Sequence, residues 1–252
     1  MFGFGKRARV FDGSSKNEKM LATMRDAVEQ QKRAAAYEPY ILTGRDLAEL
    51  ILDCVEEEPV HEVETALCIV GSMAGFAAAS IAAQNFATKV PSALEEGAYV
   101  SVAGVDGTSL FSGGLVDAAL LTGPSSFWRM VEAKGRTMVA NDLPMMGEIS
   151  DHVSGTLLGD AFGSPRMPDG MQCLEKPSVL VEFLWPEFLA TLTARTPEME
   201  GWCMSWGFAA QELMEAYRGQ IAPLDAIKIL MECAVPMARM DPNTVWRTQQ
   251  AA

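Results

Sequence analysis

Residues 66–83 of this 252-residue chain carry no charge, and polar residues flank them on both sides. A stretch of that length and character has to be covered all round, by the rest of its own chain or by lipid. Leu67, Val70, Met73, Ala77 and Ile81 recur at helical spacing, and Cys68, Ile69 and Phe76 fill the other sides. Extended to its polar flanks, the segment predicts a buried helix over 62–89, about 40 Å long at 1.5 Å per residue. Many of its side chains are small, among them Ala66, Gly71, Ser72, Ala74, Gly75, Ala77 and Ala78. Each glycine lowers helix stability by roughly 1 kcal/mol against alanine. Gly71 and Gly75 are therefore expected where a neighbouring backbone packs close.

The alternative cover is a bilayer. The uncharged run is near the lower length limit for a span, and Gly71-Ser-Met-Ala-Gly75 fits the small-xxx-small pairing pattern. Against this, the run is mostly Ala, Gly and Ser. Glu62 and Glu64 precede it, and Gln84 and Asn85 follow it. There is no Lys/Arg asymmetry and no aromatic belt. The expectation is a buried helix of a protein without membrane contact, with membrane association through 66–83 as the lesser alternative.

The net charge is −13, which argues against a general nucleic-acid binder. The charge is uneven. Residues 1–45 hold nine Lys/Arg and five Asp/Glu, a balance of +4, whereas the rest balances to −17. Five cysteines stand singly at 54, 68, 173, 203 and 233, with no Cys-x-x-Cys. That spacing points away from a zinc knuckle or thioredoxin-like site and towards reduced core thiols, Cys68 and Cys203 in particular, in a cytoplasmic protein.

Residues 1–14 read as a flexible arm, and 15–240 as a single domain. A loose tail is expected over 241–252. Ser15 and Glu18 have capping-box spacing and open a helix to about Ala36, which Tyr37-Glu-Pro39-Tyr40 breaks. Thr43 and Asp46 repeat the spacing before a short amphipathic helix with Leu47, Leu50, Ile51, Cys54 and Val55. Glu56-Glu-Glu58 is read as a turn, and Pro59 suits the first turn of the central helix.

From Ala98 the pattern changes to Tyr99, Val100, Val102 and Val105, then Asp106-Gly107, then Leu110 and Phe111. This predicts a β-hairpin over about 98–112. A lone hairpin is marginal in water, so it must pack on helices or pair across a subunit boundary. Helices follow at about 115–121, 125–134, 144–158, 198–218 and from Pro223, the last bent by Pro236. Residues 159–177 form a Gly/Pro-rich loop. Residues 178–185 fit a strand or a helix equally, and Pro186 starts or kinks a helix running to Arg195. The fold class expected is thus mostly α: a multi-helix bundle around 62–89 with one small hairpin.

The order of Leu110-Phe111, a Gly turn, the 115–121 segment, Ser126-Phe-Trp128, Leu143-Pro144, His152 and Phe162-Gly-Ser-Pro165-Arg166 with Pro168 resembles an uncharacterised family of bacterial proteins. It covers roughly the middle half of the chain. The resemblance implies a bacterial protein. It implies no activity and assigns no functional residue.

Three places offer chemistry. Glu148, Asp151 and His152 share one helical face at i, i+3 and i+4, where a carboxylate beside histidine favours imidazolium and an acid–base role. In the Gly/Pro-rich loop, Asp160, Ser164, Arg166 and Asp169 gather, and Arg166 could clamp a carboxylate or phosphate. Its bland alternative is an ion pair with one of many acidic neighbours. Trp202, Trp206 and Tyr217 form a stripe that suits either a ligand pocket or core. His-Glu-x-x-His, Gly-x-Ser-x-Gly and the phosphate-binding Gly-x-x-x-x-Gly-Lys are all missing, and the one Gly-x-Gly is Gly3-Phe-Gly5. No cofactor and no metal are expected. The leading expectation is a non-enzymatic interaction or assembly protein that forms homo-oligomers or binds another protein. The alternative is a small-ligand binder or enzyme built on Glu148, Asp151 and His152 with Arg166, in which Asp169, Trp202 and Trp206 contact the ligand.

Overall fold

The structure, a computed structural model, describes residues 13–56, 62–88, 97–103, 109–139, 143–144, 146–157, 159 and 161–245. The arm before Gly13, the 57–61 turn with Pro59, the Asp106-Gly107 turn, Asp160 and the tail beyond Val245 lie outside the described residues. Two compact units are distinguished, Met1–Glu38 and Pro39–Ala252.

The fold is mostly helical, as the periodicity predicts. α1 spans Gly13–Glu56 and α2 spans Glu62–Thr88. Strands β1 (Val100–Ala103) and β2 (Ser109–Ser112) form one antiparallel hairpin. α3 (Gly114–Asp117) runs directly into a π-helical turn, Ala118–Thr122. α4 (Phe127–Met138), α5 (Met146–Thr156), α6 (Pro177–Arg195), α7 (Trp202–Ala216) and α8 (Pro223–Met237) complete the described elements.

In the second unit α2 is the centre. Every residue from 65 to 82 is buried, and α3, α6, α7 and α8 pack around it. Among the described residues it is the one helix long and apolar enough to cross a bilayer, and its own chain covers 94% of the apolar window. Its exposed residues are confined to the last turn, 84–88. Two of its buried hydroxyls bond within the helix: Ser72 Oγ donates to the Cys68 carbonyl at 2.6 Å and Ser80 Oγ to the Phe76 carbonyl at 3.0 Å. The two glycines sit where α8 comes closest. A Cβ on Gly71 would stand 2.4 Å from the Leu230 carbonyl oxygen, and one on Gly75 only 2.2 Å from that of Ala234.

Two local expectations are corrected, at 37–43 and past 241, and the open choice at 178–185 is settled. The break expected at 37–40 does not occur, because α1 continues through Pro39. Proline takes away the hydrogen bond to the Ala35 carbonyl, but Ala35 is exposed and water can replace it. Thr43 is accordingly no helix cap. It is buried, donates to the Pro39 carbonyl at 2.8 Å and meets Thr196 Oγ1 at 3.0 Å. Residues 178–185 are helix, opened by Pro177 at the first helical position, and α6 continues through Pro186 because the Glu182 turn it disturbs is exposed. The chain also stays ordered past 241: residues 242–245 form a helical turn that buries Pro242 and Val245.

The hairpin has the expected place and packs within the chain. The Phe111 N–H donates to the Arg239 carbonyl at 2.7 Å, and Leu110 bridges to Met240. Phe86, Tyr99 and Phe111 stack at 4.9 and 4.7 Å, and burial near Asp241 pushes the Tyr99 hydroxyl up to about 12. The outer edge of β2 is thereby partly covered by the 239–240 segment of the same chain.

A candidate thiol site

Three cysteines that the sequence keeps 60 residues or more apart converge beside α2. Cys68 lies in α2, one turn before Gly71. Since Gly71 has no side chain, α8 comes in until Cys233 Cβ is 3.0 Å from where a Gly71 Cβ would be. The third, Cys173, arrives on the Gly/Pro-rich loop. The Cys68, Cys173 and Cys233 thiols lie close enough for each to shift the others' titration. Cys68 and Cys233 are fully buried, and Cys173 is half-buried at the lip.

The loop is built to hold that position. Gly163 and Gly170 take left-handed φ values of 73° and 79°, which only glycine adopts without strain. Turn bonds run from Ser164 N–H to Ala161 and from Met171 N–H to Pro168, and Phe162, Met167 and Met171 pack on the core. One ion pair ties the loop to α8. Arg166 Nη2 stands 2.6 Å and Nε 2.8 Å from Glu232 Oε1, and the Arg166 backbone N–H donates to Oε2 at 3.2 Å. Glu232 is 1% exposed and is the residue before Cys233. The clamp and the thiol contact therefore act on the same turn of α8.

The thiols are not equivalent. The Cys173 sulfur receives the Cys233 and Cys68 S–H groups, and its pKa falls to about 4. These donors and the Glu175 backbone outweigh the desolvation that opposes them. Cys68 goes the other way, well above the ordinary thiol range, because donating to Cys173 and Cys233 and its burial all favour the S–H form. Cys233 is also raised, chiefly by its bond to Cys173 and by burial, with Glu232 adding to the effect. The Cys68 S–H pulls it the other way. Cys173 is thus the first of the three to deprotonate. In its neutral form Cys173 has the Glu175 carbonyl as acceptor, 2.8 Å from Sγ.

The other two cysteines differ. Cys54 is exposed, and partial burial with Glu187 and Asp53 raises its pKa. Cys203 is buried, pushed up to about 12, and its sulfur accepts the Phe127 N–H at the start of α4. Cys203 fits the core role expected of it. Cys68 is buried too, but it belongs to a cluster. That cluster was hidden in the sequence because no local spacing marks thiols brought together by a helix crossing and a loop. Gly71 at i+3 from Cys68 is the one hint.

The residues singled out in the sequence are placed as follows. Glu148 and Asp151 are exposed on α5 and His152 is half-buried. Arg166 does approach that helix, through Nη2 to the Glu148 backbone carbonyl at 3.3 Å, but its fork is taken by Glu232. Asp169 is exposed at a turn. Trp202 and Trp206 are core: Trp202 lies 5.8 Å from Trp185 and donates its indole N–H to the Thr196 carbonyl, and Trp206 meets Phe188 edge-on at 5.5 Å.

Two clefts, of about 400 and 310 Å³, flank the π-helical turn. The larger is lined by Trp128, Arg129 and Met146, the smaller by Ile81, Ser126 and Glu200, and neither is lined by His152, Arg166, Trp202 or Trp206. Among the described residues no group of three or more His, Cys, Asp or Glu side chains is arranged to hold a metal ion. Comparison with protein-family models, with curated proteins and with solved structures gives no match.

Proposed function

We propose that this chain is a thiol-based redox protein in which Cys173 reacts and a buried cysteine completes a disulfide. The observation that carries the reading is the three-thiol contact, with its one low-pKa member at the lip. Thiolate is the nucleophilic form, and a second thiol within reach converts a single reaction into a reversible couple. In a reducing compartment such as the cytoplasm, the resting state is the open trithiol.

The test is the pH dependence of alkylation, mapped by mass spectrometry. At pH 5 an ordinary thiol is less than about 0.1% thiolate, whereas Cys173 is mostly ionised. Its intrinsic nucleophilicity drops by about 100-fold over the shift, since reactivity falls with pKa at a slope near 0.4–0.5. The gain in thiolate exceeds that loss, so Cys173 should be labelled about tenfold faster than the more exposed Cys54 at pH 5. At pH 9 the order should reverse. Cys54 leading at both pH values would sink the reading.

A second reading, self-assembly, has its own observation. Phe183 is 77% exposed on α6, the most exposed of the large apolar side chains among the described residues. On this reading the partner is another copy of the chain. Phe183→Asp should leave the midpoint of urea unfolding within the equivalent of about 0.5 kcal/mol, as for surface substitutions generally. It should also convert an oligomer to monomer by light scattering. A wild-type monomer removes this reading.

A further inference from the structure

We infer that the oxidant is a small neutral peroxide, with Cys173 attacking it and Cys233, not Cys68, closing the disulfide, and with the Arg166–Glu232 clamp positioning that pair. This rests on the thiol reading above and adds the substrate class, the partner thiol and the positioning residues.

Three observations carry it. First, the clamp fixes the loop to Glu232, so the bond already joining loop and helix is one residue from Cys233. Cys68 lies on a different helix, α2, which Arg166 does not touch. Second, Cys233 stands where α8 comes closest to α2, its Cβ 3.0 Å from where a Gly71 Cβ would be, on the same helix that the clamp ties to the loop. Third, the surroundings select the oxidant. Residues 46–252 carry a balance of −17, and the 159–177 segment carries Asp160, Asp169 and Glu175 against Arg166 and Lys176, with Glu232 paired to Arg166 and Glu148 beside it. An anionic peptide disulfide is repelled there and must also reach a half-buried sulfur. Hydrogen peroxide is uncharged and about the size of two water molecules.

The chemistry balances. The Cys173 thiolate attacks one peroxide oxygen, the O–O bond breaks, and hydroxide leaves and takes a proton to become water. Cys173 is then a sulfenic acid. The Cys233 sulfur, losing its proton, attacks that sulfur, the S–O bond breaks and a second water leaves. Two thiols and one peroxide become one disulfide and two waters.

The test exposes the reduced full-length protein to hydrogen peroxide or to oxidised glutathione, then maps products under non-reducing conditions. Expected are a Cys173–Cys233 disulfide with peroxide at least tenfold faster than with glutathione disulfide, closure retained in Cys68→Ser, and in Cys233→Ser a Cys173 sulfenic acid trapped by a 1,3-dione. Closure by the glutathione disulfide but not by peroxide overturns this inference and leaves the thiol reading standing. So does a Cys173–Cys68 product. No disulfide with either oxidant, together with no low-pH advantage of Cys173, overturns both.

Arg166→Lys and Glu232→Gln test the clamp. Each should slow the closing step severalfold and move the low-pH limb of Cys173 alkylation upward, since the Cys233 thiol that the clamp holds against Cys173 is the largest cause of its low pKa. Closure at the wild-type rate in both variants removes Arg166 and Glu232 from the mechanism.

Discussion

Gly75→Ala should lower the stability of this protein, although alanine is the better helix former. In an exposed helix the change would gain about 1 kcal/mol. Here the added Cβ would stand 2.2 Å from the Ala234 carbonyl oxygen, 2.9 Å from the Ala234 carbonyl carbon and 2.9 Å from Met237 Cβ. Two of those atoms are backbone, so no rotamer change relieves the overlap and α8 has to retreat from α2. Overpacking of that sort costs about 1–3 kcal/mol and more where backbone must move, so the net expectation is a loss of about 2–3 kcal/mol. For a chain of this size that is a fall in Tm of roughly 5–10 °C.

Gly71→Ala repeats the conflict against the Leu230 carbonyl at 2.4 Å. The double variant approaches the whole stability of a typical domain, about 5–15 kcal/mol. Thermal and urea unfolding check this. A rise in Tm for Gly75→Ala would mean that α2 and α8 do not approach as described. Gly71→Ala has a second readout. It displaces Cys233 from Cys68, so the low-pH reactivity of Cys173 should weaken even at temperatures where the variant stays folded.

The glycines also show what was legible in advance. An uncharged run with glycines one turn apart announces a buried helix and a close neighbour, because burial and close approach are the conditions under which that composition is stable. Which helix would be the neighbour is a matter of tertiary arrangement, and α8 lies some 150 residues further along the chain. The hairpin was legible for a similar reason: β-branched alternation around Asp-Gly is a local signal.

Pro39 misled, since it reads as a break yet sits inside a helix, as Pro186 does too; the residue whose carbonyl each one orphans is exposed, so little is lost. Propensity is a property of the residue, whereas this penalty depends on whether the site is wet. The aromatic stripe left both readings open, and packing decided it: Trp202 and Trp206 lie against Trp185 and Phe188. The thiol cluster was the least legible part. Cysteine motifs are read from spacing along one segment, and here the three sulfurs come from two helices and a loop.

Removing Arg166 is the second large effect, and it separates the clamp as a device from the clamp as a source of stability. Glu232 is 1% exposed, and Arg166 retains 42% of its side-chain surface. The pair is therefore wet at one end and dry at the other. Arg166→Met leaves the Glu232 carboxylate buried with only the residue 166 backbone N–H for company. Breaking a fully buried pair costs about 3–5 kcal/mol, and discounting for the solvated arginine gives about 2–3 kcal/mol here. Glu232→Leu alone should cost less, since it leaves the free charge on the exposed partner. Arg166→Met with Glu232→Leu should restore most of the loss, because a buried ion pair is close to neutral against an apolar replacement of similar size. Urea unfolding of the two single variants and the double one closes the cycle. The double variant should be nearly as stable as wild type and still slow to close its disulfide. That result would assign the ion pair to the placement of Cys173 against Cys233. A double variant that closes at the wild-type rate would mean that loop packing through Phe162, Met167 and Met171 places Cys173 unaided.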